Sequence, residues 1–190
     1  MGNLGEMGET VGGELVTDDL RNRIGAALQA LGVAGYRDTT DARTRPQWRV
    51  SFASHGKMKG ETRYLQVFVP VDADLVQVNC TVEAPALDTM PATQIQNSME
   101  GIAGEYVPEG QQWEKILADL GVDPRDVDGW DASVAPHSGI NHRMVLARIT
   151  IPLADLSNRS LELATRIGYR LAQDARSAVT ARWKASRKAK

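Results

Sequence analysis

A chain of 190 residues with 42% hydrophobic, 24% charged and 5% aromatic residues holds enough apolar material for one globular core. The composition excludes collagen-like, disulfide-rich and wholly disordered classes, and no apolar run reaches the roughly 18 residues of a membrane-spanning helix. The net charge of −2 is uneven: the fifteen residues from Arg176 onward carry six cations and no acid, so the body before them holds −8.

Residues 1–16 read as a flexible arm, loosened by Gly2, Gly5, Gly8, Gly12 and Gly13 and with Glu6, Glu9 and Glu14 unsuited to burial. Glu6 also breaks the myristoylation pattern that Met1-Gly2 would begin. No basic-then-apolar leader opens the chain. With Cys80 as the one cysteine, the expected setting is a reducing cytoplasm. A single α+β domain is expected over 17–183, followed by a basic tail at 184–190.

Thr17 is a good N-cap, and Asp18 and Asp19 suit the positive end of a helix. Leu20, Ile24, Ala27, Leu28 and Leu31 then recur at helical spacing up to Gly32. The next third changes to period two. Trp48, Val50 and Phe52 alternate with Arg49 and Ser51; Leu65, Val67 and Val69 alternate over 62–69, with Tyr64 and Phe68 on the other face. Ser54–Gly60 supplies a hairpin connection between them. After a turn at Pro70–Asp74, Val76, Val78, Cys80 and Val82 alternate with Gln77, Asn79 and Thr81. Short turns and one-faced alternation predict an antiparallel meander.

A helical insert follows. Ile95, Met99 and Ile102 form one stripe ending near Gly104, and Trp113, Ile116, Leu117 and Leu120 form a second that Gly121 and Pro124 close. Strands return around Asp131–Ala135 and from Arg143 to Ile151, with Pro136–Gly139 as a turn between them. The chain then predicts a long helix from about Ser157 to Trp183, capped by Ser157 or Asn158. Leu161, Ala164, Gly168, Leu171, Ala175 and Ala178 recur at steps of three and four, a seam of mostly small side chains. Such a seam predicts close approach to a sheet or another helix, and it is the candidate surface for a partner or for self-association. Val67–Asp72 and Ile149–Asp155 share a rhythm, but a strand follows the first and a helix the second, which argues against an internal repeat.

Candidate chemistry is sparse. His55, His137 and His142 fall in predicted loops, and Cys80 lies mid-strand, so no spacing fits a zinc site. Asp119, Asp123, Asp126, Asp128 and Asp131 around Gly129 suggest part of a calcium loop, yet the earlier ligand at the right step and the terminal bidentate glutamate are missing, and Asp123-Pro124 is ordinary turn chemistry. Gly56–Gly60 leads into no phosphate-binding helix, and Gly101 and Gly104 stand at a helix end rather than a start. No nucleophile elbow is present. Between Val78 and Val82, Cys80 reads as a buried core thiol. The expectation is a protein with no catalytic residues, no metal and no cofactor.

The basic tail is the one strong electrostatic feature. Cations at a helix C-terminus complement the helix dipole. Arg182, Lys184, Arg187, Lys188 and Lys190 are also candidate phosphate contacts, although an acidic body and the lack of a basic aromatic face disfavour nucleic acid.

The order of elements (helix, three strands, helical insert, two strands, long helix) makes an antiparallel sheet of about five strands. Val145–Leu156, a strand ending in Pro152 before the terminal helix, resembles the corresponding stretch of the type III secretion chaperone-like fold and its YbjN-like relatives. That resemblance implies a partner-binding, often dimeric protein without catalytic residues. The longer segment around Trp113 departs from it. A helix-grip fold, which would enclose an apolar ligand, fits less well because it would open with a strand and need more of them. The expected function is therefore non-enzymatic polypeptide binding by a chaperone- or adaptor-like, cytoplasmic, self-associating protein. The alternative is a structural subunit of a phage or secretion particle, or a nucleic-acid-associated protein using its tail.

Overall fold

The alternation of Val76, Val78, Cys80 and Val82 builds the centre of the molecule. In a computed structural model of the chain, which describes residues 22, 37–38, 49–55, 62–68, 75–84, 87–138 and 143–188, these four side chains are fully buried on one face of a strand. The strands are Arg37–Asp38 (β1), Arg49–His55 (β2), Thr62–Phe68 (β3), Leu75–Glu83 (β4), Asp131–Ser138 (β5) and Arg143–Pro152 (β6). The helices are Ala92–Ala103 (α1), Gln111–Leu120 (α2) and Asn158–Lys188 (α3), with 3-10 turns at Pro124–Val127 and Leu153–Asp155.

Register turns the alternation into a packed face. Within the antiparallel β4–β6 pair, Val76 stands opposite Ile151, Val78 opposite Ile149, Cys80 opposite Ala147 and Val82 opposite Val145. Ala132 and Val134 of β5 extend the same layer opposite Ile149 and Ala147. Directly opposed residues share a face of the sheet, and α3 lies across this one, with Leu161, Ala164, Ile167, Leu171, Ala175 and Val179 almost wholly removed from water.

The α+β class is as expected, but the expected count of about five strands is corrected. The described residues form a six-stranded sheet in the order β1-β2-β3-β4-β6-β5. The extra strand, β1, pairs Arg37 with Ala53 and Asp38 with Phe52, and two residues are too few to show a period in sequence. The platform that carries α3 is narrower than the whole sheet, being the three antiparallel strands β4, β6 and β5.

Two boundaries also differ from the pattern, while the start of α3 is as expected. β5 continues through Pro136, His137 and Ser138, where turn chemistry was expected. β5 is the last strand in the sheet order, and an edge strand tolerates a proline because one side needs no N–H donor. α3 runs on to Lys188, past the last apolar position, because Ala, Lys and Arg are strong helix formers without any face to bury. Its start is fixed by Ser157, whose hydroxyl accepts from the Ser160 N–H at 3.0 Å while the Ser160 hydroxyl accepts from the Ser157 N–H at 2.8 Å. This is a serine version of the reciprocal capping box.

The glycine-rich arm, the N-terminal helix expected from Thr17 (Asn22 apart, which is helical), the Gly56–Gly60 connection and Lys190 lie outside the described residues. Among the described residues no helix is long and apolar enough to cross a membrane.

Candidate functional site

Between β4 and β6 the chain inserts α1, α2 and β5, and this insert lines two clefts among the described residues. α2 is amphipathic by spacing: Trp113, Ile116 and Leu117 are buried, while Glu114, Lys115, Ala118 and Asp119 face water. Gly121 ends it in the left-handed region at φ 64°, with the Val122 N–H donating back to the Leu117 carbonyl at 2.9 Å. That closure satisfies a carbonyl the helix would leave open.

Arginines of α3 hold the insert in place. Arg166 Nη2 donates to the Leu120 carbonyl at 3.0 Å, a cation at the negative end of α2. Arg170 bridges Asp119 of α2 and Asp174 of its own helix, both at 2.8 Å, and these carboxylates raise its already high pKa, Asp174 most. Arg159 reaches Asp126 of the 3-10 turn at 2.7 Å. Asp123 caps that turn, accepting from the Arg125 N–H at 3.0 Å and from its guanidinium at 2.7 Å. The side-chain bond, then the backbone bond, holds the Asp123 carboxyl below the usual carboxylate range.

α2 and the segment 122–131 therefore stand apart at a fixed separation, and a cleft of about 670 Å³ opens between them. Its floor is Trp113, Leu117, Val122, Val127 and Trp130, all buried, and its accessible apolar surface is Ala118 and Pro124 with the half-buried Pro108. Its rim carries the exposed carboxylates Glu109, Glu114, Asp128 and Asp131, and no Lys, Arg or His lines it. Glu109 is the one non-glycine described residue with positive φ, at 72°, an uncommon conformation for a side chain of its size. Among the described residues no three His, Cys, Asp or Glu side chains converge as a metal site would require; the rim acids are spread over the turn before α2, α2 itself and the approach to β5. A smaller cleft of about 350 Å³ is lined in part by Arg125, Asp126, Asp128, Asp155 and Arg159; both of its arginines are engaged, Arg159 with Asp126 and Arg125 with Asp123.

The seam expected to meet a partner is placed elsewhere, and that expectation is corrected. Leu161, Ala164, Gly168, Leu171 and Ala175 pack onto the chain's own β4 and β6, with Leu161 1% exposed and Ala164, Leu171 and Ala175 fully buried; Ala178 is partly buried beside them. A side chain without accessible surface offers nothing to a second molecule. The close approach is real but internal: a Cβ on Gly168 would stand 2.7 Å from Cys80 Sγ and 3.5 Å from Ile149 Cγ1.

Of the candidate phosphate contacts, Arg182 is committed within the fold. Its Nη1 and Nη2 donate to the Ser98 and Gly101 carbonyls at 3.3 and 3.2 Å, capping the end of α1, and Gly101 has no Cβ to block that approach. Lys184, Arg187 and Lys188 are exposed on the last turns of α3, and the Arg187 guanidinium lies 5.7 Å from the centre of the Trp183 ring. Cys80 is buried, its thiol 3.7 Å from the Thr165 carbonyl, and burial pushes its pKa far up. His137 is exposed within β5 and His55 ends β2, rather than both lying in loops; His142 lies outside the described residues.

The rim residues Glu109 and Glu114 escaped the sequence reading, and Asp128 and Asp131 were read only as turn residues. The available signal was two tryptophans, Trp113 and Trp130, within an acidic stretch that contains one lysine and one arginine between Glu105 and Asp131.

No known protein family and no curated protein matches the chain. Among solved structures it is similar to an uncharacterized protein from Methanothermobacter thermautotrophicus, at a TM-score of 0.40 and 10% identity over 88% of this chain and 98% of that one. A likeness this distant carries no functional argument.

Proposed function

We propose that the chain is a non-enzymatic polypeptide-binding protein of chaperone or adaptor type that works in the cytoplasm. The observation that carries this reading is the cleft between α2 and residues 122–131: about 670 Å³, with a closed apolar floor, Ala118 and Pro124 exposed on its sides, and dispersed carboxylates around it. Pockets of roughly 300–1,000 Å³ are the size that encloses a small ligand, and a cleft of this volume takes single side chains of a bound chain. Carboxylates spaced around such a mouth suit an extended ligand better than a single reacting centre. Self-association, if part of the function, uses a surface other than the α3 seam.

A photo-crosslinking residue at Ala118, exposed on the cleft wall, tests the reading in the native host. Polypeptide adducts are expected at Ala118 and not at Ser177, an exposed position on α3. Adducts at both positions alike, or none at Ala118, would overturn it.

A second reading has its own support. Lys184, Arg187 and Lys188 are exposed at steps of three and four, so they share one helical face. Such a row fits phosphate contacts within an assembly or on nucleic acid. Binding to a DNA or RNA duplex that falls steeply with salt, with a slope reduced by replacing these three with Gln, is the result this reading requires.

A further inference from the structure

We infer that the occupant of the cleft is a basic stretch of another polypeptide, carrying cations on either side of one large apolar anchor. This rests on the polypeptide-binding reading above and specifies the chemistry of its client.

The accessible apolar surface of the cleft is Ala118 and Pro124, with Pro108 half-buried, over a floor from Trp113 to Trp130 that is itself nearly closed to water. It gives an aromatic or branched aliphatic side chain a shallow seat on which to leave water. A buried anchor of that kind dominates the affinity of most protein interfaces. The rim sets the sign of what flanks it. Glu109, Glu114, Asp128 and Asp131 are all exposed, with no cation among the lining residues. An acidic segment would meet like charge at every step. Because no three carboxylates converge, a small amine or metal ion would satisfy only part of the rim, whereas cations spaced along a chain meet the carboxylates one after another. The same sign holds at long range, since the body before Arg176 carries −8, and a field of that sign speeds encounter with a basic partner.

The chain's own tail is a poorer occupant. Arg159 ties the segment beside the cleft to the first turn of α3 through Asp126, and Lys184, Arg187 and Lys188 sit at the far end of the same helix, about 40 Å away at 1.5 Å per residue. Supplied by a second copy, the tail would lack a free anchor, because Trp183 is half-buried against its own core.

Random short peptides displayed on phage, selected on the full chain and counter-selected on its Ala118→Arg variant, test the inference. Ala118, Glu114 and Asp131 are exposed, so substitutions there leave folding intact, which thermal melting checks. The expected winners carry Lys or Arg around a Trp, Phe or Leu. Their affinity falls with added salt and drops about three- to tenfold in the double variant Glu114→Gln/Asp131→Asn. Neutral or acidic winners that still lose binding to Ala118→Arg would overturn this inference and leave polypeptide binding standing. Tight binding of a synthetic 184–190 peptide would overturn it in favour of a second copy. A selection that enriches nothing over the counter-selection would overturn both readings.

Discussion

Gly168 of α3 lies directly against Cys80 of β4: a Cβ on the glycine would stand 2.7 Å from the thiol sulfur and 3.2 Å from the cysteine Cβ. Carbon atoms do not approach sulfur that closely, so the helix can cross here only as glycine. The roughly 1 kcal/mol that glycine costs inside a helix is exchanged for contact between α3 and the fully buried face of β4.

Gly168→Ala therefore destabilises the protein by about 1–2 kcal/mol, the overpacking cost exceeding the gain in helix propensity. In a Cys80→Ala background the sulfur is gone and only the 3.2 Å approach to the residue-80 Cβ remains, so the same substitution costs less. Chemical denaturation of the four proteins measures the coupling. Additive effects would show that the two residues are not in contact.

The Cys80 thiol reacts slowly with thiol reagents in the native protein, at a rate set by unfolding, because burial pushes its pKa up and closes access. The sign of the pH dependence follows. Below about 8.5, where a free thiol begins to ionise, folded and unfolded chains both keep the proton; above it only the unfolded chain releases it. Stability contributed by this group is therefore intact below that pH and falls at up to about 1.4 kcal/mol per unit above it. The Tyr106 phenol, raised by burial and then by Asp174 and Glu105, adds a loss of the same sign at higher pH. The Cys80 share is the difference between wild type and Cys80→Ala in urea unfolding at pH 7 and 10, and equal slopes would refute it.

Arg182→Ala removes the cation from the end of α1 and costs about 1 kcal/mol, whereas replacing Lys184, Arg187 and Lys188 with Gln changes stability by less than about 0.5 kcal/mol. Thermal melting separates the two sets. Equal effects would mean that Arg182 is only another solvated charge.

Arg166→Ala and Arg170→Ala loosen α2 without unfolding the sheet. Amide exchange should accelerate across Gln111–Leu120 and stay unchanged in β4 and β6, since local opening follows the contacts that are lost. Uniform acceleration would show that α2 and the sheet open as one unit.

Much of this fold was legible because burial imposes a period. Val76, Val78, Cys80 and Val82 announced β4; Ile95, Met99 and Ile102 announced α1; Gly104 and Gly121 marked where helices stop. The seam centred on Gly168 was legible as a close approach, but spacing alone does not say whether a small-residue stripe meets its own sheet or another molecule. The cleft was not legible. Its parts are a turn, the outer edge of one helix and a 3-10 segment, none with a period of its own, and their separation is set by arginines from α3, up to 51 residues away in sequence. Arg182 looked like a surface cation because its acceptors are backbone carbonyls, which leave no mark in a sequence.

The arginine contacts of α3 make that helix a ruler. Arg166 meets the end of α2 and Arg182 the end of α1, about 24 Å apart along the axis at 1.5 Å per residue. One residue inserted between them would turn the second arginine by about 100° around the helix and strip α1 of its cap, while also carrying Ala175 and Val179 off the sheet. The middle of α3 therefore accepts substitutions on its wet face but no change of length. Any descendant of this protein that alters the spacing of its two inserted helices has to do so in the loops on either side of them.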